Sequence, residues 1–427
     1  MGLLVLFGLF FFLMAWGVPI AFALGIASLA TFLFEGISPA IAFQRVIGGL
    51  SIYSLIAVPF FVFAGELMLR GGIGIKLVRL CLALVGRVRG GLGQVNVVSS
   101  MIFGGISGSA VADTSALGSM LIPMMEKAGY DKDYAVNVTV TSSLAGIVIP
   151  PSHNMVLYAL AAGGAASISN LFIAGIVPGI LMCLSLCVAA YIVAVKRNYP
   201  RAAFPGIAQT LRYAADAIPG ILTGFIIVGG VLSGVFTVTE SAAIGVIYAL
   251  IIIVFLYRSL SFADLVVSLK ATVRTTAMVM ILVATAASFA YLLSIYRTPE
   301  LVMATLTGIS DNPIIILLLI NVAFLILGCF MDMAALILIC TPIFLPVAMT
   351  AGVDPVQFGI LMMMNLGLGL TTPPVGACLF LGCSIAKIPM EKTILTIWPF
   401  YLAILVVLMM VTFIPGISLW LPNLLLG

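Results

Sequence analysis

The side chains of this sequence that could do chemistry stand mostly in two clusters. Around residue 107 the chain reads GGISGSAVADTSA, which supplies Ser107, Ser109, Asp113 and Thr114. Further on it supplies Asp332 and then Thr371 and Thr372. Hydroxyl and carbonyl oxygens with few ionisable neighbours suit a small hard cation. Sodium fits this set better than protons, which would want a relay of acids or histidines. A serine inside Gly105-Ile106-Ser107-Gly108, with His153 as base, also admits nucleophilic chemistry.

The elements that hold these residues lie in a lipid bilayer. The 427 residues are 63% hydrophobic and 7% charged, whereas a globular domain is about 45–50% apolar and about 25% charged. Runs long enough to span include 3–33, 51–69, 171–195, 217–235, 241–257, 275–296 and 393–421. Residues 3–33 lack a basic n-region and exceed a signal peptide's apolar core, so they read as one retained span. The net charge of +4 comes from loops between apolar runs and does not indicate nucleic acid. One histidine and seven cysteines without ligand spacing give no zinc or disulfide frame. No Gly-rich phosphate loop is present, so the chain does not use ATP itself.

Self-comparison divides the chain in two. Pro123, Gly129, Asp131, Gly146, Pro150 and Pro151 recur as Pro346, Gly352, Asp354, Gly369, Pro373 and Pro374, each 223 residues further on, and Gly105 and Gly328 fit the same offset. Segments 70–92, 126–134, 196–212, 258–274 and 386–392 hold 16 of the 18 basic residues, leaving Arg45 and Arg297 for the outer side. Equivalent segments of the two copies thus carry opposite charge bias and should face opposite sides. The expectation is an all-α polytopic membrane protein with an inverted-topology repeat, its N-terminus cytoplasmic and its C-terminus outside. Each copy contains a re-entrant helical hairpin and a helix broken by two prolines, which free carbonyls at mid-membrane depth. Inverted repeats with broken helices around a midplane site are the general design of secondary transporters.

Domain boundaries follow. Residues 1–69 are first-repeat scaffold spans and 70–92 a basic cytoplasmic arm. The first transport half is 93–195, with hairpin 93–127, broken helix 134–160 and span 171–195. A cytoplasmic linker (196–216) leads to second-repeat scaffold spans (217–296) and an outer arm (297–312). The second transport half is 313–421, with hairpin 313–350, broken helix 357–385 and span 393–421.

Structural explanations stand beside the functional ones. Gly104, Gly105 and Gly108 allow close helix packing. Asp113 could cap a helix. His153 reads as a packed neutral ring, Glu66 and Glu240 as anchors near span ends, and Met362, Met363 and Met364 as adaptable packing.

At these residues the sequence resembles the large membrane subunit of the tripartite ATP-independent periplasmic (TRAP) transporters. The resemblance runs from GVPIAFALG (17–25) and PFFVFAGELM (59–68) through FGGISGSAVADTSALGSMLIPMMEKAGY (103–130), GIVIPPSHN (146–154) and GVFTVTESAAIGVIYA (234–249). It ends with LGCFMDMAALILICTPIFLPV (327–347) and GLTTPPVGACLFLGC (369–383). It implies sodium-coupled uptake of an organic anion by an elevator-type carrier resembling divalent anion–sodium symporters, in a bacterial inner membrane. The cargo would be a sialic acid, which we favour, or a C4-dicarboxylate or keto acid. A separate small four-helix membrane subunit and a periplasmic substrate-binding protein are the implied partners.

The resemblance also implies site residues. One sodium would use Ser107, Ser109, Gly146, Ile149 and Pro151, partly through carbonyls. A second would use Gly328, Asp332, Gly369, Thr372 and Pro374. Substrate would sit between the tips near Asp113, Thr114, Asn154, Asn365 and Thr371. The tips read ISGSAVA and CFMDMAA, so the two sodium sites cannot be chemically identical. The competing readings are a rhomboid-type intramembrane serine protease and a channel. A Ser–His pair gives no reason for a repeat through the whole chain, and the carrier motifs argue against a channel.

Overall fold

The computed structural model describes residues 1–426, and every regular element among them is helical. The first group is α1 (Gly2–Ala15), α2 (Ile20–Phe34), α3 (Pro39–Leu50) and α4 (Ala57–Arg70). Then come α5 (Ile73–Val85), α6 (Gly91–Ser107), α7 (Ala110–Lys127), α8 (Lys132–Ser142), α9 (Ala145–Val148), α10 (His153–Ala161) and α11 (Ile168–Lys196). The second half repeats the scheme with α12 (Ile207–Leu232), α13 (Val238–Ile251), α14 (Phe262–Ile295) and α15 (Thr298–Thr307). It closes with α16 (Pro313–Gly328), α17 (Met333–Thr350), α18 (Pro355–Gly369), α19 (Ala377–Ala386), α20 (Met390–Ile394), α21 (Trp398–Phe413) and α22 (Pro415–Leu425).

The 223-residue offset reappears as helix boundaries. α17 covers α7 shifted by that amount, and α18 begins where α8 does. α14 begins 223 residues after α3 and continues as one helix where the first copy breaks between α3 and α4. Packing sorts the elements into two groups. α1–α4 pack with α12–α14, and α6–α11 pack with α16–α22. Contacts of α4 with α6 and of α14 with α17 join the groups.

The N-terminal run differs from the single span expected over 3–33. Trp16–Pro19 interrupts it, with Gly17 at a φ of +84°. α1 and α2 pack against each other, and helices joined by so short a turn do so antiparallel. The span expected at 393–421 is likewise bent, by 63° between α21 and α22.

Behind α11 the chain folds onto the corner between α5 and α6. The Gly90 N–H donates to the Pro200 carbonyl at 3.1 Å and the Ala202 N–H to the Gly86 carbonyl at 3.0 Å. Arg89 donates to Asn198 Oδ1 at 2.7 Å, and the Arg87 guanidinium sits 4.2 Å from the Phe204 ring centre. Arg197 grips Asp133 through two hydrogen bonds, at 2.9 and 2.8 Å, and Asp131 at 3.1 Å.

Candidate transport site

Two residues, Gly108 and Ser109, form the tip between α6 and α7. Ser109 caps α7, its hydroxyl accepting the Ala112 N–H at 3.4 Å, so this candidate ligand already has a structural task. The tip lies directly on the broken helix. A Cβ on Gly104 would come within 2.5 Å of Gly146 Cα, and one on Gly108, at φ +61°, within 2.8 Å of the Pro151 carbonyl oxygen. The prolines remove the N–H donors that Gly146 and Ile147 would meet in a continuous helix, and Ile149 is extended. The helix bends by 51° there. Ser107 Oγ makes one long hydrogen bond, to the Ser109 carbonyl at 3.5 Å. The region thus gathers oxygens around Ser107, Ser109, Gly146, Ile149 and Pro151.

The second tip is longer, running Cys329–Asp332. Asp332 is the N-cap of α17, accepting the Ala334 N–H at 3.0 Å. Its side chain reaches the surface of the chain while its neighbours crowd around it. The Val375 N–H donates to the Cys329 carbonyl at 3.1 Å, tying tip to break. Gly369 and Gly328 touch backbone to backbone: a Cβ on Gly369 would lie 2.5 Å from the Gly328 carbonyl carbon. Thr371 and Thr372 each donate to the Leu368 carbonyl at 2.8 Å. A hydroxyl that donates to a carbonyl keeps its lone pairs for a cation. The Gly369 carbonyl accepts the Thr372 N–H at 3.0 Å and the Leu370 carbonyl the Cys378 N–H at 2.9 Å. Pro374 is exposed. Both proline pairs, Pro150–Pro151 and Pro373–Pro374, have a cis peptide bond.

The two halves interlock, with α10 against α17 and α19 against α7. Asn154 Nδ2 reaches Met333 Sδ at 3.7 Å across this junction. Asp113 and Thr114 are buried in the first turns of α7, and neither Asp113 oxygen nor the Thr114 hydroxyl has a hydrogen-bond partner in the chain. Asp113 is not a cap, since Ser109 holds that position. Asn365 spends its amide on Asn321, on its carbonyl at 3.0 Å and its Oδ1 at 2.7 Å, while its own Oδ1 has no partner. The Thr371 carbonyl accepts from the Tyr401 hydroxyl.

That last contact was not anticipated from sequence, nor was the polar tie behind each hairpin. Ser142 on α8 donates to Asn96 Oδ1 at 3.2 Å on α6, and Asn96 donates to Thr139 at 2.6 Å. Asn365, 223 residues after Ser142, joins α18 to α16 in the same manner. A polar residue inside an apolar helix was the only signal available. His153 opens α10, and no hydrogen bond joins it to Ser107 among the described residues. Nor do the described residues contain a group of three or more His, Cys, Asp or Glu able to hold a metal. A cavity of about 440 Å³ between α6, α11 and α12 is lined only by apolar residues and glycine, which gives an anion nothing to bind.

Comparison with known proteins gives this geometry a context. The family described as "Tripartite ATP-independent periplasmic transporter, DctM component" matches residues 7–417. The sialic acid TRAP transporter large permease SiaM of Vibrio cholerae is 37% identical over 413 residues, covering 96% of each chain. The C4-dicarboxylate TRAP transporter large permease DctM of Pseudomonas aeruginosa is 39% identical, covering 87% of this chain and 86% of its own. The crystal structure of the Alcanivorax borkumensis YdaH transporter superposes with a TM-score of 0.63 over 88% of both chains at 14% identity, a likeness of fold alone.

Proposed function

The chain belongs to the DctM family of TRAP transporter large permeases, and from that premise we propose that it carries out sodium-coupled uptake of a small organic anion by alternating access. It is a multi-pass membrane transporter and not an enzyme, which removes the serine protease reading of Ser107 and His153. The observation that carries the proposal is the pair of hairpin tips, each pressed on a proline break, with Asp113 and Thr114 unpartnered and buried beside them. Such oxygens suit a desolvated cation. Orphaned polar groups in a protein interior are costly and cluster where a ligand is to be met.

In this reading Ser107, Ser109, Gly146, Ile149 and Pro151 form one sodium site. Gly328, Asp332, Gly369, Thr372 and Pro374 form the other. Thr114, Asn154, Asn365, Thr371 and Asp113 face the organic anion, with sodium ions offsetting the Asp113 charge. The repeat is inverted, and the group containing α6–α11 and α16–α22 moves as an elevator against the rest, as in divalent anion–sodium symporters. In this reading the cargo is a sialic acid, with a C4-dicarboxylate or keto acid as the alternative; sialic acid and C4-dicarboxylate permeases are similar to the chain to the same degree, at 37% and 39% identity. The partners are a small four-helix membrane subunit and a periplasmic binding protein, and the setting is a bacterial inner membrane. The test is uptake into proteoliposomes holding both membrane subunits, with the binding protein outside. N-acetylneuraminate and succinate are the probes. Saturable uptake that requires external sodium and both partners is expected. Uptake by this chain alone, or uptake indifferent to sodium, would overturn the proposal.

A further inference from the structure

A second cleft, of mixed apolar and polar lining, lies away from the hairpin tips, where α4 turns into α5 and faces α7. It has a volume of about 500 Å³, and its lining includes Arg70, Gly72, Gly74, Ser115 and Ser119. We propose that Arg70, Ser115 and Ser119 form a waypoint for the carboxylate of the transported anion on its way to the cytoplasm. The inference rests on the transport reading above and adds a site to it.

Arg70 is the last residue of α4. Its Nε faces Glu66 Oε2 at 3.6 Å, too long for a hydrogen bond. The two terminal nitrogens have no hydrogen-bond partner among the described residues. That fork is the part of arginine that holds a carboxylate through two parallel bonds. Opposite it, Ser115 and Ser119 are four residues apart on α7 and so lie on one helix face; both are exposed. Ser115 makes no hydrogen bond among the described residues, so its proton is free for a carboxylate, whereas Ser119 spends its proton on the Ala116 carbonyl at 2.9 Å and must turn it outward to serve one. Gly72 and Gly74 keep the cleft open: a Cβ on Gly72 would meet nothing within 4 Å, and one on Gly74 only side chains at 3.6 Å and beyond.

The same face of α7 continues upward to Val111, also exposed. Val111, Ser115 and Ser119 therefore make a strip that begins at the hairpin tip, next to Ser109, and ends at Arg70, while Asp113 lies on the opposite, buried side of α7. Glu66 weakens the local positive field without occupying the fork. A transit site needs that balance, since an ion must be able to leave it as well as enter.

The test reads the field in the cleft directly. Ser119→Cys would be labelled with an anionic (ethylsulfonate) and a cationic (ethyltrimethylammonium) methanethiosulfonate in the complex with the small subunit. Rates would be followed by mass spectrometry of the peptide holding residue 119 and normalised to a free thiol. The anionic reagent should react several-fold faster. Adding Arg70→Gln should abolish the preference, and adding Glu66→Gln should enlarge it, a change a misfolded protein would not give. In uptake assays Arg70→Gln should slow transport several-fold, with partial recovery in Arg70→Lys. A preference that is absent, or that survives Arg70→Gln, overturns the waypoint while leaving the transport reading intact. Failure of the wild type to take up either probe would instead count against the reading beneath it.

Discussion

As the N-cap of α17, Asp332 accepts the Ala334 N–H at 3.0 Å, a task asparagine does as well. A sodium ligand needs the charge, so the two roles separate in one substitution. Asp332→Asn should lower apparent sodium affinity while leaving thermal stability near wild type. Asp332→Ala should lose the cap too, at about 1 kcal/mol. If uptake by the Asn variant follows sodium as the wild type does, Asp332 is a cap and nothing more. Asp113 presents the reverse case, a buried carboxylate with no partner in the chain. An uncompensated buried charge is destabilising, so Asp113→Asn should raise the unfolding temperature in detergent while transport falls. A lower unfolding temperature would mean that the carboxylate is held by the fold. The types of these residues were legible in the sequence. Which of them cap helices and which stand unpartnered was not, because that depends on where each helix begins, to the residue.

At the level of helices, each hairpin meets its broken partner through glycine. Gly104→Ala and Gly369→Ala would each drive a methyl to 2.5 Å from backbone. Overpacking of this kind costs typically about 1–3 kcal/mol, so both should unfold several degrees earlier. Gly8→Ala, with nothing within 4 Å, should not. Unchanged stability of the first two would mean that the tips and breaks do not meet this closely. The sequence pairs Gly105 with Gly328, yet the residue seated on the break as Gly328 is on Gly369 is Gly104. The second tip carries two more residues, and an extra residue in a turn shifts one side of a hairpin without altering its composition. The double prolines were easy to read because they remove donors outright. The break at Trp16–Pro19 was hidden because a single proline at a helix start costs nothing and so signals little.

The Arg197 clasp between α8 and α11 adds a pH dependence. Hydrogen bonds from Arg197 hold the Asp133 carboxyl below its usual range, outweighing partial burial. A depressed carboxylate stabilises the fold above its unfolded value of about 3.9 and ceases to do so as pH falls through the folded value. The difference in unfolding temperature between wild type and Asp133→Asn should therefore be present at neutral pH and vanish in acid, once the pH has fallen through the lowered folded value. A difference that persists there would assign the effect to packing.

For the whole molecule, the all-helical multi-span character was plain from hydropathy, whereas the number of crossings near the start was not. Basic segments place 70–92 and 196–212 on one side, so a tag at 198–202 should be labelled only from the cytoplasm and one at 298–300 only from outside. Labelling of both from one side would remove the inverted repeat. The N-terminus is the revealing case. α3 carries Gln44 and Arg45 and is only 12 residues long, which suits a helix lying at the membrane surface. If α1 and α2 both cross, the chain returns to its starting side before α4 crosses inward. An N-terminal tag should then react from outside, the reverse of the expectation from a single span; reaction from the cytoplasm would mean that α1 and α2 together make one crossing.

The stretch 198–204 is fastened to the α5–α6 corner by two backbone hydrogen bonds, Arg89 and the stacked Arg87. In mechanical language, that fastening shortens the free tether between the two groups of helices. Chain that could have been slack belongs instead to the body it is tied to, as far as Phe204. Any swing of one body against the other is then taken up, on these two connections, at the pivots Gly71–Gly72 on the α4 side and Pro205–Gly206 before α12, with the third connection running through α15 between α14 and α16. Gly72 and Gly206 stand at φ +71° and +96°, where only glycine moves freely. A cross-link across either pivot would act as a brake, while one within 198–204 would go unnoticed.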